Sequence, residues 1–152
     1  MPCSSVTAAP SLYLNIPTSN PEASLQFFTA IGFETIKEYT DGETKSFRLP
    51  APNNSVCIMV HGHKRFKEFM RPGTEITDAT KTTEVLISLA VDRKEVVDEW
   101  VAKVVAAGGT ADPYTLEGYG QGMNMYTRSF ADLDGHIWEA VAMLGTPGEK
   151  KE

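Results

Sequence analysis

The chain has only two cysteines in 152 residues, Cys3 and Cys57, so no disulfide framework holds it together. None is required, because a chain of this length buries roughly 70% of the surface that its unfolded form exposes. Cys57 sits within an apolar run, and a reduced, cytoplasmic protein is the simplest expectation. Long hydrophobic runs are also missing. None approaches the roughly 20 residues that cross a bilayer, and residues 1–10 lack the basic and apolar regions of a signal peptide. Clustered positive charge is the third absence. The 14 Lys and Arg are scattered among 20 acids for a net charge of −6, which argues against nucleic acid as a partner. The glycines Gly118, Gly120 and Gly122 open no helix, so they form no phosphate cradle.

What is present is a repeated order of elements. Leu12–Pro17 reads as a strand. Asn20-Pro21-Glu22 then starts a helix, with Asn20 as cap, Pro21 in the first turn and Glu22 at the positive end of the dipole. The helix runs through Leu25, Phe28 and Ile31 and stops at Gly32. Phe33–Tyr39 and Glu43–Leu49 read as a hairpin about Asp41-Gly42, and Ser55–His61 as an apolar strand. Phe66, Phe69 and Met70 have helical spacing, and Arg71–Thr82 is a polar linker. The opening pattern then returns: strand Val85–Val91, cap Asp92, helix Arg93–Ala107 and stop Gly108-Gly109. A Gly-rich loop over 112–122 follows. Met123–Phe130 and His136–Met143 are strands joined by the Asp134-Gly135 turn.

Such an internal repeat fixes architecture better than any single element. The expected fold is α+β, two βαβββ modules (11–63 and 83–143) forming a curved mixed sheet around a cavity. Residues 64–82 link them, and 1–10 and 144–152 are tails. A cavity of this kind is a usual place for a small-molecule ligand.

The last hairpin carries the sharpest chemical signal. Alternation along His136–Met143 puts Glu139 on one strand face with Ile137 and Val141. Glu139 is the candidate catalytic base, its pKa raised by burial; the competing reading is a structural carboxylate bonded to a strand neighbour. Tyr13 and Asn15 share a face, where both offer hydrogen bonds to a substrate carbonyl or else fill space and satisfy backbone. Glu84 shares a face with Leu86. Asp132 and Asp134 read as turn-shaping residues, and His136 as a solvent or backbone contact. The Phe66–Met70 segment and the Gly118–Gly122 loop are candidate lids.

Leu14-Asn15-Ile16-Pro17, Ser24 to Phe28, Ile31-Gly32-Phe33, Tyr126 to Phe130 and Asp132 to Glu139, taken in order, resemble the glyoxalase/bleomycin-resistance/extradiol-dioxygenase proteins, the vicinal oxygen chelate superfamily. Met59, His63, Phe66, Thr83 to Leu86 and Ala106 to Gly109 are similar to one glyoxalase-like branch. The resemblance spans residues 11–143. It implies paired βαβββ modules, frequent homodimers and, in many members, a divalent metal held from the first and last strands of each module. Those places fall on Tyr13, Val60, Leu86 and Glu139. Val60 and Leu86 cannot ligate and a neutral phenol is a poor ligand, so the resemblance implies no metal cofactor and leaves Val60 and Leu86 as ligand-contacting positions. The register it implies turns His61 and His63 away from the cavity; a bulge would reverse them and assemble His61, His63 and Glu139 as a divalent metal set for a lyase or dioxygenase. Two functions follow as expectations: a metal-independent lyase or isomerase acting on an oxygenated small molecule with Glu139 as base, or a non-catalytic protein that sequesters one. Ordinary glyoxalase I chemistry is not expected, because it needs the metal.

Overall fold

The computed structural model describes residues 8–118 and 121–145. The tail expectations for 1–7 and 146–152, and the lid expectation for residues 119 and 120, lie outside the described residues.

The first module runs β1 (Leu12–Thr18), α1 (Pro21–Ala30), β2 (Glu34–Thr35), β3 (Thr44–Arg48) and β4 (Val56–Gly62). A single turn α2 (His63–Phe66) leads into the linker. The second module runs β5 (Leu86–Val91), α3 (Lys94–Ala106), β6 (Thr110–Ala111), β7 (Met125–Ala131) and β8 (Ile137–Met143). The sheets have the same topology, β1-β4-β3-β2 and β5-β8-β7-β6. In each, the first strand pairs in parallel with the last, and the other ladders are antiparallel. They are two four-stranded mixed sheets rather than one continuous sheet, and neither closes.

Local signals explain the element boundaries. The Asn20 side chain accepts the Ala23 N–H at 3.0 Å, and Gly32 takes a φ of 103° after α1, a conformation that costs glycine little. In the second module Arg93, not Asp92, occupies the cap position and makes no side-chain cap. The strand continues to Val91, and two residues connect it to α3, as two connect β1 to α1, so the position equivalent to Asn20 is Arg93. The first hairpin is also shorter than alternation suggests. After Thr35 the chain turns through Lys37–Tyr39, where the Ser46 and Thr40 hydroxyls donate to the Tyr39 and Ile36 carbonyls. The second module has its short strand β6, in a stretch with no clear strand pattern.

Both helices pack on their own sheets and against one another, so the modules share one core. Phe28 of α1 lies 5.3 Å from Phe33 and 5.7 Å from Trp138 of β8. Phe33 reaches Trp100 of α3 at 6.0 Å, and Trp138 stacks on Phe130 at 6.1 Å with planes 3° apart. The Phe28–Trp138 and Phe33–Trp100 contacts cross the module boundary at tilted geometries that favour pairing.

This packing corrects one placement. Val60 is fully buried in the core with Ile58 and Phe47, on the helix side of β4. It is therefore not a cavity residue. His61, one position on, faces the other side with Asn15. The expected orientation of β4 is thus inverted, and no bulge is involved.

Candidate functional site

The two modules are tied together near their outer strands, β1 and β5, through the β7–β8 turn and the β3–β4 loop. Three polar ties hold the junction. Asp134 Oδ1 accepts the Ser19 N–H at 2.8 Å and its hydroxyl at 3.0 Å. His136 Nε2 donates to the Pro17 carbonyl at 2.7 Å. The Asn53 carboxamide pairs with Ala90 in both directions, donating to its carbonyl at 2.7 Å and accepting its N–H at 3.2 Å. That last pair occupies the open edge of β5 as a neighbouring strand would.

Between these ties lies a cavity of about 550 Å³. Leu14 and Ile16 of β1 form one wall, Ile87 and Ile137 the other, and the linker residues Phe66, Met70 and Ile76 the roof. Apolar side chains give most of the lining; the polar groups are Asn15 and His136, the charged Arg71, Glu75 and Glu84, and four threonines of residues 74–83. This is the composition and size of a small-molecule site. Phe66 and Met70 thus belong to the roof, whereas Phe69 is exposed and packs its ring at 5.1 Å from His61.

Of the residues singled out in the sequence, Asn15 and Glu84 line this cavity. Tyr13 and Leu86 do not; both are exposed at the starts of their strands. Glu139 is buried, but it faces a separate polar cavity of about 160 Å³ with Tyr114, Thr127 and Ser129. Its two oxygens accept hydrogen bonds from Ser88 and Tyr114, each at 3.0 Å. Tyr114 was missed because nothing in the spacing of its loop marks it; the loop is fixed by Ser129, whose hydroxyl donates to the Tyr114 carbonyl at 2.7 Å. Arg128 beside it is committed to Asp98 and Asp112.

The possible metal ligands fall apart in the same way. His61 lies on β4, His63 begins α2 beyond the strand, and Glu139 belongs to the other sheet. Among the described residues the one group of three with ligand atoms within 4.8 Å is Asp132, Asp134 and His136. Asp132 is engaged within the turn, and Asp134 Oδ1 and His136 Nε2 reach across to the first module. Asp132 accepts the N–H groups of Asp134 and His136 at 3.0 Å and the Trp138 indole N–H at 3.0 Å. Asp134 and His136 hold Ser19 and Pro17, as above.

His61 is a buried titratable group that touches the cavity residue Asn15. Its Nε2 lies 2.8 Å from Asn15 Oδ1 and its Nδ1 2.8 Å from Thr44 Oγ1. Burial holds its pKa below the ordinary histidine value, and Arg65 adds to the effect. The unfolded chain therefore takes up this proton first. The stabilisation is complete above about pH 6.5 and is lost as pH falls below it. Between pH 7.5 and 5.5 the melting temperature of the wild type is expected to fall more steeply than that of His61→Gln. Parallel curves would contradict this reading.

The sequence model for the "Glyoxalase/Bleomycin resistance protein/Dioxygenase superfamily" matches residues 11–140. No curated protein matches the chain. Among solved structures, the hypothetical protein SA1046 from S. aureus is 26% identical, with TM-score 0.66 over 89% of this chain and 94% of that one. A family enzyme from Burkholderia phytofirmans PsJN is 22% identical, with TM-score 0.69 over 87% and 97%. The fosfomycin resistance protein FosX from Listeria monocytogenes is 20% identical, with TM-score 0.55 over 95% and 96%.

Proposed function

Because the chain belongs to the Glyoxalase/Bleomycin resistance protein/Dioxygenase superfamily, we propose that it binds a small, largely apolar molecule in the cavity between its modules and retains it unchanged. The observation that carries this reading is the cavity itself: about 550 Å³, walled by two sheet edges and roofed by the linker. A structural neighbour is named as a fosfomycin resistance protein, and a ligand of the size of a bioactive small molecule is in keeping with the cavity.

One observation favours a second reading, a lyase or isomerase. Glu139, with Tyr114 and Ser88 donating to it, pairs a buried base with a hydroxyl acid at the smaller cavity. Both carboxylate oxygens are already engaged, which weakens that arrangement. The four positions that the resemblance pointed to do not converge, since Tyr13 and Leu86 are exposed, Val60 is in the core and both Glu139 oxygens are engaged, so they do not form a divalent-ion site. The proposed activity therefore runs through no metal. Self-association as a homodimer and residence in a reducing cytoplasm, in keeping with the free, buried Cys57, complete the proposal. No helix among the described residues is long and apolar enough to cross a membrane.

Native mass spectrometry of protein purified without chelators tests the proposal. A retained small molecule, released with unchanged mass after incubation, is expected, with well under one equivalent of transition metal. An altered product would favour the Glu139 reading, and a stoichiometric transition metal would contradict the metal-free one.

A further inference from the structure

The cavity holds one polar group whose orientation is dictated from behind. Asn15 lines it, and the Asn15 Oδ1 lies 2.8 Å from His61 Nε2. A carboxamide oxygen only accepts, so Nε2 carries the proton. The other nitrogen, Nδ1, then accepts from the Thr44 hydroxyl at 2.8 Å. His61 is 3% exposed and is further held against the rings of Phe66 and Phe69 at 6.4 and 5.1 Å. The ring is thus fixed at both nitrogens and on its faces. The oxygen thus faces His61, and Asn15 presents its NH₂ group to a ligand.

The charges at the cavity select further. Arg71 and Glu75 of the linker and Glu84 just after it line the cavity, which puts one cation there against two carboxylates. An anionic ligand meets a net unfavourable field there.

We propose that His61 is a positioning residue that sets Asn15 as a hydrogen-bond donor, and that the cavity thereby selects neutral apolar molecules bearing a carbonyl oxygen. This rests on the cavity being the ligand site. A carbonyl that accepts from Asn15 replaces the water lost on entry. A molecule of the same shape without the oxygen leaves the amide protons unpaired, which is the costlier outcome. Removing the His61 donor frees the carboxamide to turn over and present its oxygen instead, so selectivity is lost while the apolar walls stay in place.

Three probes of closely related shape separate the terms: benzophenone, 1,1-diphenylethylene, in which =CH₂ replaces the oxygen, and the anion 4-benzoylbenzoate. Binding is read from methyl resonances of Ile16, Ile76 and Ile87 in isotope-labelled protein. In the wild type, benzophenone is expected to bind at least about threefold tighter than 1,1-diphenylethylene, and 4-benzoylbenzoate weaker than benzophenone. Asn15→Leu and His61→Phe should bring benzophenone and 1,1-diphenylethylene to equal affinity. His61→Gln, which can still donate to Asn15, should restore part of the difference. A merely structural role for His61 would weaken both probes together and leave their ratio unchanged, which overturns the inference. Equal wild-type affinity for the two probes, with the cavity methyls shifting, overturns the inference and leaves the cavity as the ligand site. If no probe shifts those methyls, both fall.

Discussion

Trp138→Ala is expected to lower the unfolding free energy by about 3–5 kcal/mol and to do so for both modules at once. Trp138 is fully buried on β8. Its ring stacks on Phe130 of its own module and meets Phe28 and Phe33 of the other at 5.7 and 5.9 Å. Truncation opens a cavity where the two halves join, and the surrounding rings cannot collapse to fill it without leaving their own partners. It also deprives the buried Asp132 carboxylate of the indole N–H, one of its three donors. A domain of this size has only about 5–15 kcal/mol to lose, so the variant should sit near its folding limit. Urea denaturation is the measurement. One transition with a much lower midpoint is expected. Two separated transitions, or a loss under about 1 kcal/mol, would contradict a shared core. Trp138→Phe, which keeps a ring and loses the N–H, should recover most of the stability.

Ala79→Trp has the second large effect, on binding rather than stability. Ala79 lies on the linker and faces the cavity. An indole there occupies the space between the outer strands. Because the linker is outside the core, the fold should tolerate the change within about 0.5 kcal/mol. Affinity for benzophenone should fall at least about a hundredfold, since the ligand and the indole compete for one volume. Isothermal calorimetry, with the melting temperature as control, checks both halves. Unchanged binding would place the ligand elsewhere.

Much of the fold was legible because its signals are local. Asn20-Pro21-Glu22 begins α1 as read, the Asp134-Gly135 turn joins β7 and β8, and the repeated order of elements gives two βαβββ modules. Asp92 shows where residue type misleads: a good capping residue stands one position before the actual cap, Arg93, which makes no side-chain cap. The parity of β4 was not legible for a physical reason. Cys57, Ile58, Met59 and Val60 are all apolar in a strand with neighbours on both sides, so no alternation distinguishes the helix face from the other. A period of two gives which residues share a face but not which face it is. The choice that put Val60 outward hid the pairing of His61 with Asn15.

The site was less legible than the fold. Asn15 and Glu84 do line the cavity, but its roof comes from linker residues such as Ile76 and Ala79, which carry no periodic signal. Glu139 was marked by alternation and its burial is real, yet its partners Ser88 and Tyr114 lie 51 and 25 residues away. Contacts of that separation are set by tertiary packing, which a single sequence does not encode in any local pattern.

The most direct test of ligand capture between the modules is photolabelling with benzophenone, which inserts into nearby C–H bonds on irradiation, followed by peptide mapping. Saturable labelling of the linker around Met70 and Ile76 and of Ile16 on β1, suppressed by excess 1,1-diphenylethylene and absent in Ala79→Trp, is the predicted result. Labelling that never saturates, or that concentrates around Tyr114 and Glu139, would contradict it.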